Sequence, residues 1–207
     1  MVDSIQKRNT TPDQILLQIR SLQSPIILLE GKRTVKVPDQ PLLIQLGAFL
    51  ARSFPLATFR SGNAGGADEL FCRGVESVNP LQLQIITPAL KHRSKNIFAH
   101  AEYRSITEIN LAEEPEVIYQ TRNPGNAGLM KEFLEGRINR ASAKAPYLLR
   151  DTVKVIGSPQ LGWEKADFAL FYDDLAKPET GGTGHTIAVC RKNNVPFCNQ
   201  SVWMEWL

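Results

Sequence analysis

At 207 residues and 43% hydrophobic, the chain is long enough to bury one substantial core, and a single domain with embellishments is expected. A formal net charge of +3 suits anionic ligands but falls short of the basic stripe of a dedicated nucleic-acid binder. Cys72, Cys190 and Cys198 lie far apart without metal spacing, their odd number with no framework suggests a reducing compartment, and no apolar run approaches the roughly 18 residues of a membrane span, so a soluble cytoplasmic protein is expected.

Residues 1–10 are polar and carry no pattern. Thr11-Pro12-Asp13-Gln14 reads as a helix start, with Thr11 as N-cap, Pro12 at the first helical position and Gln14 closing a capping box. Ile15, Leu16, Ile19 and Leu22 give that helix one apolar face. Pro25 to Leu29 is a continuous apolar run of the kind found in buried parallel strands, and it ends in Glu30-Gly31-Lys32-Arg33. Asp39 to Ser53 follows as a helix with Leu42, Leu43, Leu46, Phe49 and Leu50 on one side. Residues 1–24 are assigned to an N-terminal helix, 25–200 to the main domain and 201–207 to a tail.

A second apolar run, Leu56 to Phe59, leads into Arg60-Ser61-Gly62-Asn63-Ala64-Gly65-Gly66-Ala67-Asp68. The helix after it places Ala67, Leu70, Phe71, Gly74, Val75 and Val78 on one face. Strand, glycine turn and helix can gather N–H groups around an anion, because glycine lets a ligand approach the main chain and the helix start carries about half a positive charge. Leu81 to Thr87 is the third strand. Between 89 and 150, Lys91, His92, Arg93 and Lys95 form a basic cluster, while Arg104 to Leu111 and Leu129 to Ile138 read as helices of an insertion or lid. Val153 to Ile156 reads as a short strand. Ala166 to Tyr172 is a buried strand ending at Asp173-Asp174, and Gly181-Gly182-Thr183-Gly184-His185-Thr186 then opens a helix through Ile187, Ala188, Cys190 and Arg191. Val195 to Cys198 is the last strand. The β–α alternation predicts an α/β fold with a doubly wound parallel sheet, in which both glycine turns open on one crevice at the carboxyl edge.

Arg33 and Arg60, at strand ends, could grip a phosphate with paired hydrogen bonds or form surface ion pairs. Asp68 reads either as a cap of its helix or as a contact to a ribose hydroxyl. Asp173 and Asp174 could hold ribose or simply make the turn. His185 could donate to a phosphate or act as an acid, but no orienting carboxylate is evident. No His, Cys or Asp spacing suits zinc, and no cofactor is expected beyond the ligand itself. The sequence-predicted ligand contacts are Gly31, Arg33, Arg60, Ser61, Gly62, Asn63, Gly65, Gly66, Asp68, Asp173, Gly181, Gly182, Thr183 and Gly184.

The ordered set Gly31-Lys32-Arg33, Ser61 to Asp68 and Gly181-Gly182-Thr183 resembles the SLOG superfamily, which includes DNA-processing protein A and the Lonely Guy phosphoribohydrolases. The resemblance spans about residues 25–87 and 163–200, and implies a Rossmann-like sheet binding a nucleotide or nucleotide derivative across these loops. Lys32 departs from the small residue usual in the first turn. Ala188 stands where the Lonely Guy enzymes carry a glutamate, which argues against their reaction. Three functions follow: a nucleotide-derivative binding module or sensor; a nucleotide hydrolase using Asp173, Asp174 or Glu179; and a DNA-binding protein. Trp203, Trp206 and Leu207 offer an apolar patch for a homo-oligomer.

Overall fold

The computed structural model describes residues 11–90, 92, 97–137 and 139–207. The sequence readings at residues 1–10 and at Lys91, Arg93 and Lys95 lie outside them. Helix α1 (Pro12–Arg20) begins with the expected box: the Thr11 hydroxyl accepts the Gln14 N–H, and the Gln14 side chain accepts the Thr11 N–H. The apolar runs become strands β1 (Ile26–Gly31), β2 (Thr58–Ser61), β3 (Leu83–Thr87) and β5 (Phe168–Tyr172), and β6 (Phe197–Asn199) closes one edge. All pairings are parallel, in the order β4-β3-β2-β1-β5-β6, where β4 is Glu102–Ser105.

Because strand side chains alternate, β1 feeds two cores. Ile27 and Leu29 join the layer formed by α1, α2 (Gln40–Ser53) and α3 (Ala67–Glu76), whereas Leu28 joins the layer behind α7 (Gly181–Lys192). Helices α4 (Pro115–Thr121), α5 (Ala127–Leu134) and α6 (Ala145–Ile156) cover the β3 side of that second face through Val117, Met130, Leu149 and Val153. This is a Rossmann-like, doubly wound α/β architecture. The chain winds from β1 out to β4, then returns to the other side of β1 as β5, so the strand order reverses at the β1/β5 boundary. Crevices form outside the carboxyl ends of strands at such a reversal.

Three sequence readings are corrected. Residues 104–111 are not a helix: Glu102–Ser105 pairs with β3 as an edge strand, and Ile106–Glu108 is a single 3-10 turn capped by Ser105. Val153–Ile156 is the end of α6 rather than a strand, because Ala145, Leu149 and Val153 recur at helical spacing and are fully buried together. Trp203 belongs to the short helix α8 (Gln200–Trp203), is fully buried, and donates its indole N–H to the Phe171 carbonyl oxygen. It therefore contributes nothing to an exposed apolar patch.

Candidate functional site

At the sheet reversal lies a cleft of about 610 Å³, within the range of small-molecule sites. Three sequence-predicted loops meet in it: Gly31-Lys32-Arg33 after β1, Ala64 and Asp68 from the first glycine turn, and Gly181-Gly182-Thr183 from the second. Its remaining wall comes from Lys144, Tyr147, Arg150 and Asp151 on and before α6.

The two glycine turns are built differently. In the first, Asp68 is buried and occupies the anion's place itself. Its Oδ1 accepts the Gly31 N–H at 3.1 Å and its Oδ2 accepts the Ala64 N–H at 3.3 Å, so the carboxylate latches the β1 loop to the glycine turn. Gly66, with φ 90°, packs on the same loop; a Cβ there would lie 2.1 Å from the Arg33 carbonyl oxygen. A side chain at Gly66 is thus excluded by the fold before any ligand is considered. In the second turn, Thr180 stands at the N-cap of α7 but its side chain takes no N–H of the helix, and the first helical turn has no acidic residue. The N–H groups of Gly181, Gly182 and Thr183 have no acceptor among the described residues, and they start a 12-residue helix at the cleft. Lys32, Arg33 and Lys144 supply positive charge around it; Lys32 also pairs with Asp174 at 2.8 Å.

Beneath the cleft lies a charge cluster that the sequence did not announce. Lys154, fully buried, donates to Glu30 Oε2 at 2.6 Å and to Asp151 Oδ1 at 2.8 Å. Arg150 binds the same Oδ1 through Nε and Nη2, and the Gly62 carbonyl oxygen through Nη1. Thr186 donates to Glu30 Oε1 at 2.9 Å. Burial alone would lower Lys154 and raise Asp151, but their mutual attraction outweighs it: Asp151 and Glu30 hold the ammonium charged, while Arg150 and Lys154 hold Asp151 below the usual carboxylate range. Glu30 goes the other way. Burial pushes it up to about 8, because the Lys154 charge is shared with Asp151, and Asp151 and Asp68 add repulsion.

That shift fixes a pH dependence. Between the ordinary 4.5 and about 8, folded Glu30 keeps a proton that the unfolded chain has released. Its contribution to stability is complete below the lower value and falls as pH rises to the upper one. Burial lowers His185, which acts in the opposite sense below 6.5, so the informative quantity is a difference. Relative to Glu30→Gln, the parent protein is expected to lose melting temperature from about pH 5 to about pH 8. Parallel curves for the two proteins would show that Glu30 ionises normally.

Of the residues singled out from sequence, the structure brings Gly31, Arg33, Asp68, Gly181, Gly182 and Thr183 to the cleft. Arg60 lies elsewhere. Its guanidinium is fully buried between the Gln84 side chain and the Lys154 and Glu164 carbonyl oxygens, 4.8 Å above the Trp163 ring. An arginine within a strand can turn to either sheet face, and this one fastens α6 and its following loop to β2. Ser61 donates to the Leu29 carbonyl oxygen, Gly62 accepts from Arg150, and Asn63, buried at φ 51°, lies inside the turn with Gly65 and Gly66. Gly184 packs against the preceding loop, where a Cβ would lie 1.9 Å from the Glu179 carbonyl oxygen. Asp173 accepts the N–H groups of Asp174 and Glu179, so its carboxylate shapes the loop to α7 and faces a neighbouring cavity. His185 sits under α6, with Nε2 3.2 Å from the Leu148 carbonyl oxygen. Ala188 is exposed on α7.

Fold and cleft together define a Rossmann-like α/β protein with a ligand-sized cleft at its strand-order reversal. No protein-family model matches the chain, and no curated protein does. A solved structure of DNA processing protein A from Helicobacter pylori, concerned with its single-stranded DNA binding mode, is similar over 88% of this chain and 67% of its own, with a TM-score of 0.50 and 17% identity. At that identity the likeness is one of fold.

Proposed function

We propose that the cleft binds the phosphate of a nucleotide or nucleotide derivative at the start of α7, and that the protein works as a binding module or sensor. The observation carrying this reading is the uncapped run of N–H groups at Gly181, Gly182 and Thr183, opening on a cleft with Lys32, Arg33 and Lys144. The likeness of the three loops to the SLOG superfamily supports it. A hydrolase built on the acids named from sequence has less support. Asp173 is taken up by loop amides, Asp174 by Lys32 and Glu179 by Arg191, leaving none of them free as a base.

The fold neighbour's single-stranded DNA binding gives the second reading, and salt separates the two. Calorimetric titration with nucleoside 5′-monophosphates is expected to give binding with a shallow salt dependence. A strand gripped through several phosphates would instead steepen the slope by about 0.7 per contact. Steep, tight oligonucleotide binding with no mononucleotide binding would replace the first reading with the second.

A further inference from the structure

Asp151 is 2% exposed and lines the cleft, yet its two oxygens differ. Oδ1 is saturated by Arg150 Nε, Arg150 Nη2 and Lys154 Nζ. Oδ2 has no hydrogen-bond partner among the described residues. It faces the second glycine turn, 3.5 Å from where a Cβ on Gly182 would stand. The Asp151 side chain is buried except where Oδ2 meets the cleft beside the open amides of α7, so this oxygen is the part of the carboxylate left to take a donor from a ligand.

The surroundings define that donor. Two cations already balance Asp151, so a cationic ligand group would meet Arg150 and Lys154 as repulsion, and a neutral hydroxyl fits better. With a phosphate on the Gly182 N–H, as proposed above, Oδ2 lies on the flank of the same residue, 3.5 Å from the Cβ position, and within reach of the group that the phosphate esterifies. In a nucleotide these belong to the sugar. The two cations also offset the repulsion between phosphate and carboxylate, and by keeping Asp151 ionised they make it a strong acceptor and a weak base.

We propose that Asp151 Oδ2 accepts a ribose hydroxyl, so that the cleft selects ribonucleotides over deoxyribonucleotides. The inference rests on the phosphate reading above. The test is calorimetric titration of the whole chain with the common ribonucleoside 5′-monophosphates and their 2′-deoxy and 3′-deoxy forms. Loss of one of the two hydroxyls is expected to weaken binding about tenfold to a hundredfold. Asp151→Asn is expected to erase most of that discrimination. Because that change also disturbs a buried charge cluster, Gly182→Ala serves as the second variant. Its methyl makes only ordinary contact with Oδ2, so the fold is kept while the oxygen is covered, and discrimination is again expected to fall towards unity. Equal affinity of the wild-type protein for ribo and both deoxy forms overturns the sugar assignment and leaves the phosphate site standing. Discrimination that survives in a folded Gly182→Ala protein removes Asp151 from the role. Absence of binding by every mononucleotide overturns both the assignment and the reading beneath it.

Discussion

Thr180→Asp is expected to abolish phosphate binding while leaving the protein at least as stable as before. Thr180 is exposed at the N-cap of α7, and its hydroxyl donates backwards to the Lys177 carbonyl oxygen instead of capping the helix. Aspartate at an N-cap accepts the second or third N–H of its helix, here Gly182 or Thr183, and gains about 0.5–2 kcal/mol over a residue that does not cap. The same carboxylate then fills the place of the ligand's phosphate, as Asp68 does within the first turn. Affinity should fall by about a hundredfold, given the loss of the amides and the added negative charge. Thermal unfolding and calorimetry on one preparation decide the matter. Undiminished binding by a stable Thr180→Asp protein would move the phosphate away from α7.

Lys154→Met is expected to be the most destabilising conservative change in the charge cluster beneath the cleft. It is close to isosteric, so little packing is lost, but Asp151 keeps only Arg150 and Glu30 loses its cation. Removing one partner of a buried ion pair costs about 3–5 kcal/mol. For a chain of this size that is a fall in melting temperature of about 6–20 °C. Combining it with Glu30→Gln should recover part of the loss, because the two groups are in contact and their effects do not add. A single-variant loss below about 1 kcal/mol would mean that water reaches the cluster and screens it.

These two changes mark the boundary of what could be read without coordinates. The strands β1, β2 and β5 and both glycine turns were legible because each is local: a continuous apolar run, then glycine, then an apolar stripe at helical spacing. The α1 cap was legible for the same reason, since Thr11, Pro12 and Gln14 act on one another within four residues. The wall made by α6 was not. Arg150 and Asp151 carried no signal in the sequence, Lys154 fell in a segment read as a strand, and the carboxylate that Lys154 meets is Glu30, 124 positions away. Val153-Lys154-Val155-Ile156 has strand-like composition, and only the long-range packing of Leu149 and Val153 against Ile86 and Trp163 settles it as helix. Arg60 misled for a related reason. Its place at a strand end suggested a ligand contact, while the face it turns to is set by Trp163 and by carbonyl groups about a hundred residues away.

The strand order also governs the sequence of events by which the molecule is made. β1 to β4 lie side by side in the order of synthesis, so each can join its predecessor across a short crossover soon after it emerges. β5 must return from far along the chain to pair Ile27 with Phe168, a closure whose entropy comes due before any of its contacts form. Until then β1 is an edge with its hydrogen-bonding groups open, and Glu30 has neither Lys154 nor Thr186. The cleft is complete only once β5 has docked, since one wall belongs to the early half of the chain and the opposite wall to the late one. A ligand held across it therefore favours the completed sheet over a partly assembled one.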